Sequence, residues 1–231
     1  MKNNKCTVII AAAGIGKRMG SDTPKQFLQI KGKPVLYYTV DAFEKNDNID
    51  SVVIVTGRES IEYCRKEIVE KYAFKKVKAI VEGGKERQNS VYNALNTITA
   101  DTDIVLIHDG ARPFIMQEDI NKVILSVKEY GSAVLAVKSK DTIKIADTDG
   151  FVSETPDRSF MWNIQTPQGF GFSVVKEAYD KAGKDGFIGT DDSSLVERLG
   201  KRVKLVEGHY TNIKITTKDD LIIAESILEG L

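Results

Sequence analysis

Two rhythms of apolar positions alternate along the chain. Short, mostly β-branched apolar runs at 7–13, 51–56, 77–81, 103–108 and 133–137 predict buried strands. Between them apolar residues recur at helical spacing: Ile61, Cys64 and Ile68; then Val91, Ala94, Leu95 and Ile98; then Ile120, Val123, Ile124 and Val127. Strands linked by crossover helices predict an α/β fold, a Rossmann-like and mostly parallel sheet flanked by helices, with ligands at the carboxyl ends of the strands.

The rhythm breaks at about 138–162. Strand-like runs at 142–147 and 151–155 flank Thr148-Asp149-Gly150, a hairpin signal. So few apolar residues cannot form a core of their own, and a two-stranded ribbon is marginal alone. The segment is therefore expected to protrude as a β-hairpin arm stabilised by a second subunit, with Phe160, Met161 and Trp162 in arm or dimer packing. Beyond it, 173–182 and 193–199 read as helices and 203–206 as a strand, and Thr217-Lys218-Asp219-Asp220 reads as a capping box opening the last helix. A length of 231 residues suits one domain over 1–231 with the arm as its appendage.

Composition narrows the function classes. With 33 Lys plus Arg against 33 Asp plus Glu, the chain has no basic excess for nucleic acid or an acidic membrane surface, so neither is expected as a partner. Cys6 and Cys64 lie far apart, without metal-ligand spacing, and read as buried passive thiols in a reducing compartment. The longest apolar run is too short to span a bilayer, and the first residues lead directly into a strand with no cleavage-site pattern. A cytoplasmic location is the expectation.

The chemistry sits in the loops after the strands. The first strand runs into Ala11-Ala12-Ala13-Gly14-Ile15-Gly16-Lys17-Arg18-Met19-Gly20 and then Pro24-Lys25-Gln26. Small residues let backbone N–H groups approach a phosphate chain. The loop is not a dinucleotide fingerprint, because Met19 stands where a small residue is needed, and Gly16-Lys17-Arg18 does not complete a P-loop. Its cations Lys17, Arg18 and Lys25 instead suggest phosphoryl or nucleotidyl transfer, in which fixed positive groups stabilise the charge that accumulates on phosphate oxygens. The plain alternative is solvated loop charge.

At the end of the fourth strand, within Ile107-His108-Asp109-Gly110-Ala111-Arg112-Pro113, Asp109 is placed to hold magnesium when a triphosphate supplies the other ligands. The alternative is an aspartate that caps the next turn and pairs with Arg112. His108 and His209 read as packed or hydrogen-bonded rather than catalytic. A third loop, Glu82-Gly83-Gly84-Lys85-Glu86-Arg87-Gln88-Asn89-Ser90, offers backbone and hydroxyl groups that can read a base, or else turns the chain while Ser90 satisfies local backbone. Asp141-Thr142, Arg158, Gln165-Thr166-Pro167-Gln168 and Asn212-Ile213-Lys214-Ile215-Thr216 carry polar groups without an obvious structural need and are candidates for a second substrate.

Taken together, Ala11–Gly20 with Lys25, His108–Pro113, Lys140–Lys144, Thr155–Arg158, Gln165–Phe170, Thr190-Asp191-Asp192 and Asn212–Thr216 resemble, over nearly the whole chain, the 2-C-methyl-D-erythritol 4-phosphate cytidylyltransferases of non-mevalonate isoprenoid synthesis. The resemblance implies CTP and methylerythritol phosphate as substrates, Mg2+ as metal, and a homodimer whose arms cross into the neighbouring subunit. It puts Ala12, Ala13, Gly14, Arg18, Lys25, Gly83, Ser90 and Gly110 around CTP, with Asp109 at the metal. It puts Thr142 and Arg158 of the arm, with Thr190 and Lys214, around methylerythritol phosphate, and makes Arg18, Lys25 and Lys214 the catalytic cations. Gly110 departs from the alanine expected there, while keeping the close backbone approach. Ribitol 5-phosphate is the rival acceptor, and a noncatalytic nucleotide-binding regulator is the rival of another class.

Overall fold

A computed structural model describes residues 4–14 and 24–230. In chain order it contains β1 (Cys6–Ala12), a short 3-10 turn (Lys25–Phe27), β2 (Gln29–Ile30), β3 (Lys33–Pro34), α1 (Val35–Glu44), β4 (Ser51–Thr56), α2 (Ile61–Tyr63) continuing as a π-helical stretch (Cys64–Glu70), β5 (Val77–Glu82) and α3 (Arg87–Leu95). There follow β6 (Ile104–Asp109), α4 (Gln117–Tyr130), β7 (Ser132–Lys138), β8 (Ile145–Ala146), β9 (Val152–Glu154), β10 (Trp162–Gly171), α5 (Phe172–Lys184), α6 (Asp192–Arg198), β11 (Lys204–Glu207) and α7 (Lys218–Gly230).

Seven strands form one sheet in the order β11-β7-β10-β6-β1-β4-β5. Every pairing is parallel except those of β10, which runs antiparallel to both β6 and β7. The Rossmann-like α/β expectation is met. Strand periodicity divides the core between the two faces: Val8, Ile10, Ile54 and Leu106 pack with α1, the π-helical stretch and α4, whereas Ile9, Val53, Val55, Val105 and Ile107 pack with α3, α5 and α6. Ile30, Val35, Phe114, Ile215 and Ala224 form a smaller cluster that seats α7. Cys6 and Cys64 are buried free thiols, pushed up by burial to about 12 and about 11, which matches the passive role expected of them.

Sequence periodicity missed α1, the β2–β3 hairpin and β10. In β10 the register shifts between Ile164 and Gln168, where the Thr166–Pro167 peptide is cis. Gln165, Thr166, Gln168 and Asn212, expected around a second substrate, are interior groups bonded to one another and to backbone. Asn212 Nδ2 donates to Gln165 Oε1 and to the Thr166 carbonyl, and Gln168 bridges Asp191 Oδ2 and the Ser193 N–H. Gln165, Thr166 and Gln168 are satisfied within the fold, which is structural work, whereas Asn212 Oδ1 is buried without a partner among the described residues.

The hairpin forms at the expected place but is shorter, with β8 paired antiparallel to β9. Asp147 Oδ1 accepts from the Asp149 and Phe151 N–H groups, and Gly150 takes φ +87°, the left-handed conformation that favours glycine. Phe151, Val152 and Phe160 stand exposed on this segment. At α7 the capping prediction holds in its reciprocal half: Asp220 Oδ2 accepts from the Thr216 and Thr217 N–H groups.

Candidate active site

The parallel register brings the carboxyl ends of β4, β1 and β6 side by side, with Ala11 opposite both Val55 and Asp109. Backbone bonds stitch the loops that follow: the Gly110 N–H donates to the Ala11 carbonyl at 2.9 Å and the Gly83 N–H to the Thr56 carbonyl at 2.8 Å. Between them opens a cavity of about 390 Å³, walled by Ala11–Gly14, Lys25, Gly57, Glu59, Gly84–Arg87, Ser90, Asp109, Ala111 and Lys214. It lies where a doubly wound sheet is expected to bind its ligand.

Asp109 is the electrostatic centre of that wall. Lys214 Nζ lies 2.7 Å from its Oδ2, Arg87 Nε 3.1 Å from its Oδ1 and Arg112 Nε 3.8 Å from its Oδ2. Burial alone would raise this carboxyl, yet Arg87, Lys214 and Arg112 together hold it well below the usual carboxylate range. Arg87 also grips the buried Asp192 with two parallel bonds of 2.8 Å. Over the wall as a whole, Lys25, Lys85, Arg87 and Lys214 stand with Glu59, Glu86 and Asp109, four cations to three carboxylates in a partly desolvated pocket. Such a pocket suits a polyanion.

Of the residues expected around CTP, Ala12, Ala13, Gly14, Lys25 and Ser90 wall the cavity, as do Asp109 and Lys214. Gln26 fixes the chain beside Lys25 by donating from Nε2 to the Ala12 carbonyl at 2.6 Å. Gly83 and Gly110 stand one step behind: a Cβ on Gly83 would sit 2.5 Å from the Ala13 Cβ, and one on Gly110 2.8 Å from the Ala12 Cβ. Of the Gly83-Gly84 pair, the glycine that faces the cavity is Gly84. The Ser90 hydroxyl accepts from the Gly84 N–H and donates to the Glu86 carbonyl, so it shapes the loop, the structural role weighed for it from sequence. Arg18 lies outside the described residues. Thr142, Arg158 and Thr190 are exposed and stand apart from the cavity wall, with Arg158 donating to the Lys140 carbonyl at the root of the arm.

Arg87 has no role assigned from the sequence alone. A signal existed: a cation at the first turn of a helix opposes the macrodipole and calls for a carboxylate partner. Asp192, which meets it, is distant in sequence and was legible only once the fold brought α3 and α6 together.

His108 is fully buried, and burial pushes its pKa down to about 4. The Asp109 N–H donates to Thr166 Oγ1, that hydroxyl donates to His108 Nδ1, and His108 Nε2 donates to the Arg112 carbonyl. A neutral imidazole with both nitrogens occupied orders the loop and is no proton acceptor for a ligand, as expected. His209 lies elsewhere, its Nδ1 2.8 Å from Asp119 Oδ2 and its Nε2 3.1 Å from Glu118 Oε1, with Lys122 3.3 Å from Asp119 Oδ1. Lys122 pairs with both carboxylates of that grouping, at 3.6 Å from Glu118 Oε1 as well.

For a divalent metal at the end of β6, the donor is the Asp109 carboxylate. Two of its roughly four lone-pair directions receive Arg87 and Lys214, and the others remain for a hard cation whose further ligands are phosphate oxygens and water. The residues fit such a one-carboxylate site.

A family model described as 2-C-methyl-D-erythritol 4-phosphate cytidylyltransferase (IspD) matches residues 6–230. A 2-C-methyl-D-erythritol 4-phosphate cytidylyltransferase of Caldanaerobacter subterraneus is 49% identical over 222 residues, covering 96% of this chain and 98% of its own. One from Lachnoclostridium phytofermentans is 50% identical over 226 residues, covering 97% and 96%. Among solved structures, the 4-diphosphocytidyl-2C-methyl-D-erythritol synthase of Anaerococcus prevotii superposes with a TM-score of 0.88 at 36% identity, covering 98% of this chain and 97% of that one. The Thermus thermophilus cytidylyltransferase superposes with a TM-score of 0.80 at 31% identity, covering 97% and 99%. Matches this extensive, on a fold whose cationic cavity lies at the strand ends, show that the chain belongs to the 2-C-methyl-D-erythritol 4-phosphate cytidylyltransferase family.

Proposed function

We propose that the cavity is where the cytidylyl group changes hands, with Lys25, Arg18 and Lys214 as the cations that serve the reaction. The chain is a cytidylyltransferase that joins CTP and 2-C-methyl-D-erythritol 4-phosphate in isoprenoid biosynthesis. What supports the assignment of roles is one observation above the others: Lys25, Arg87 and Lys214 converge with Asp109 on a single pocket.

The reaction needs no histidine base. A phosphomonoester with a second pKa near ~6 is largely dianionic at neutral pH, so its own oxygen is the nucleophile. That oxygen forms a bond to the α-phosphorus of CTP in line while the bond to the β-phosphate bridging oxygen breaks, giving the cytidine diphospho-derivative and pyrophosphate. Lys25, Arg18 and Lys214 stabilise the charge that develops on the α-phosphate oxygens and the leaving group. Asp109 would hold Mg2+, which when bound neutralises triphosphate charge.

Thr190 and Lys214 meet the acceptor together with Thr142 and Arg158, which the arm of a second copy delivers in a homodimer. Exposed Phe151, Val152 and Phe160 on an arm without a core of its own support that reading. Among the described residues no helix is long and apolar enough to cross a membrane. The two buried free thiols support a reducing, cytoplasmic setting. The family assignment favours methylerythritol phosphate over ribitol 5-phosphate. A pyrophosphate-release assay with CTP, Mg2+ and each acceptor tests the reading: faster release with methylerythritol phosphate is expected, and nucleotide binding without any product would favour the noncatalytic regulator.

A further inference from the structure

We propose that Arg87 is a positioning residue that locks the nucleotide side of the site to the 187–192 segment on the acceptor side. The proposal rests on the reading above in taking Thr190 as an acceptor contact.

Arg87 opens α3, directly after the Gly83-Gly84 turn whose second glycine walls the cavity. Its guanidinium makes three directed bonds: Nε to Asp109 Oδ1 at 3.1 Å, and Nη1 and Nη2 to the two oxygens of Asp192 at 2.8 Å each. Asp192 opens α6, is buried, and accepts a further bond from the Tyr179 hydroxyl of α5. The next residue repeats the link at backbone level, since Gln88 Nε2 donates to the Phe187 carbonyl and Gln88 Oε1 accepts from the Gly189 N–H, both at 2.9 Å. Two successive side chains of one helical turn therefore hold the segment that carries Thr190, and one of them also fixes the Asp109 carboxylate.

Only a planar fork can span this arrangement. A lysine supplies the charge but cannot bond both Asp192 oxygens in parallel while its stem directs a third donor at Asp109. Arg87 acts through the residues it holds. Its loss is expected to disturb acceptor capture and the chemical step more than CTP binding, because Lys25, Gly84 and Ser90 remain in place.

The test compares Arg87→Lys, Asp192→Asn, Gln88→Ala and Thr190→Val in the full chain, measuring kcat, both KM values and amide hydrogen exchange over 187–192. For Arg87→Lys and Asp192→Asn the expected result is a tenfold or greater rise in acceptor KM, CTP KM within twofold, and at least tenfold faster exchange at Gly189. Gln88→Ala, which leaves Asp109 untouched, is expected to shift acceptor KM and exchange in the same direction with kcat little changed. If Arg87→Lys does not fold, Asp192→Asn and Gln88→Ala carry the same comparison. A rise in CTP KM with acceptor KM and exchange unchanged would make Arg87 a triphosphate ligand and overturn the proposal. Unchanged acceptor KM in Thr190→Val sinks the Thr190 reading itself. A response in Thr190→Val with none in Arg87→Lys or Asp192→Asn sinks the coupling alone.

Discussion

Lys214 Nζ stands 2.7 Å from Asp109 Oδ2, joining the end of a central strand to a loop that returns from β11 at the sheet edge. The Ile215 N–H donates to the Ala111 carbonyl at 2.8 Å and fixes the loop beside its target. The lysine is therefore held at the cavity wall before any ligand arrives, and preorganised charge is what lowers a barrier with developing negative charge. Lys214→Ala is expected to lower kcat by about 10²-fold, the usual effect of removing one such donor. Steady-state kinetics with a thermal-unfolding control checks this, and kcat within threefold of the parent at unchanged stability would remove Lys214 from the reacting centre.

Lys25 is expected to separate catalysis from affinity. It enters the wall on a short turn pinned by Gln26 to the end of β1, while the triphosphate still meets Lys214 and the loop after β1. Lys25→Ala should therefore depress turnover by about 10²-fold and weaken CTP binding far less. Calorimetric CTP titration beside single-turnover kinetics measures the split. Equal losses in both would mean that Lys25 binds ground state and transition state alike.

How far the site was legible from sequence depends on whether a role is local. The alternating strands and helices, the loop at Asp109 and the hairpin signal at Thr148-Asp149-Gly150 are properties of neighbouring residues, and each appears where expected. Strand β10 hid because Pro167, Gly169 and Gly171 read as breakers, and because the polar Gln165, Thr166 and Gln168 are satisfied only by partners from distant segments. Gly169 is required there: a Cβ would stand 2.8 Å from side chains of Leu106, Val123 and Val127. Arg87 escaped for a related reason, since its meaning lies in a carboxylate carried by α6.

Stability should fall with acid in a window set by His108. Burial holds its folded pKa down to about 4 against an ordinary 6.5, so the imidazole stays neutral in the fold while the unfolded chain takes up a proton. Its contribution is complete above pH 6.5 and is lost as pH falls from 6.5 to about 4, on the order of 3 kcal/mol in all. Denaturant unfolding at pH 7.0, 6.0 and 5.0 for the parent and for His108→Gln checks this. The parent should lose stability more steeply, and parallel profiles would refute the neutral assignment.

Gly83→Ala tests the second wall of the nucleotide pocket. A Cβ there meets the Ala13 Cβ at 2.5 Å and Ser90 Oγ at 3.0 Å, so either the end of β1 or the start of α3 must move. Overpacking of this kind costs about 1–3 kcal/mol, and because both displaced elements face the cavity, CTP KM should rise as well. A melting curve and a CTP titration of the same preparation read both effects. Loss of stability with unchanged CTP KM would place Gly83 in the scaffold alone.

Arg158 lies on the arm and bonds the Lys140 carbonyl at its root, exposed and away from the cavity of its own chain. Lys25 lines that cavity. If each arm serves the neighbouring subunit, one subunit's site draws its nucleotide groups from one chain and its arm groups from the other. Arg158→Ala and Lys25→Ala preparations should then each be impaired. A mixed dimer should regain about half the parental activity in one of its two sites, because one site has lost both groups and the other has lost neither. If each chain instead completes its own site, every site in the mixed dimer carries a defect and no activity returns. Differently tagged chains, purified through both tags and assayed for pyrophosphate release, distinguish the outcomes. A dimer confirmed by sedimentation that shows no recovery would remove the shared site, leaving the arm as a dimer contact without a part in the chemistry.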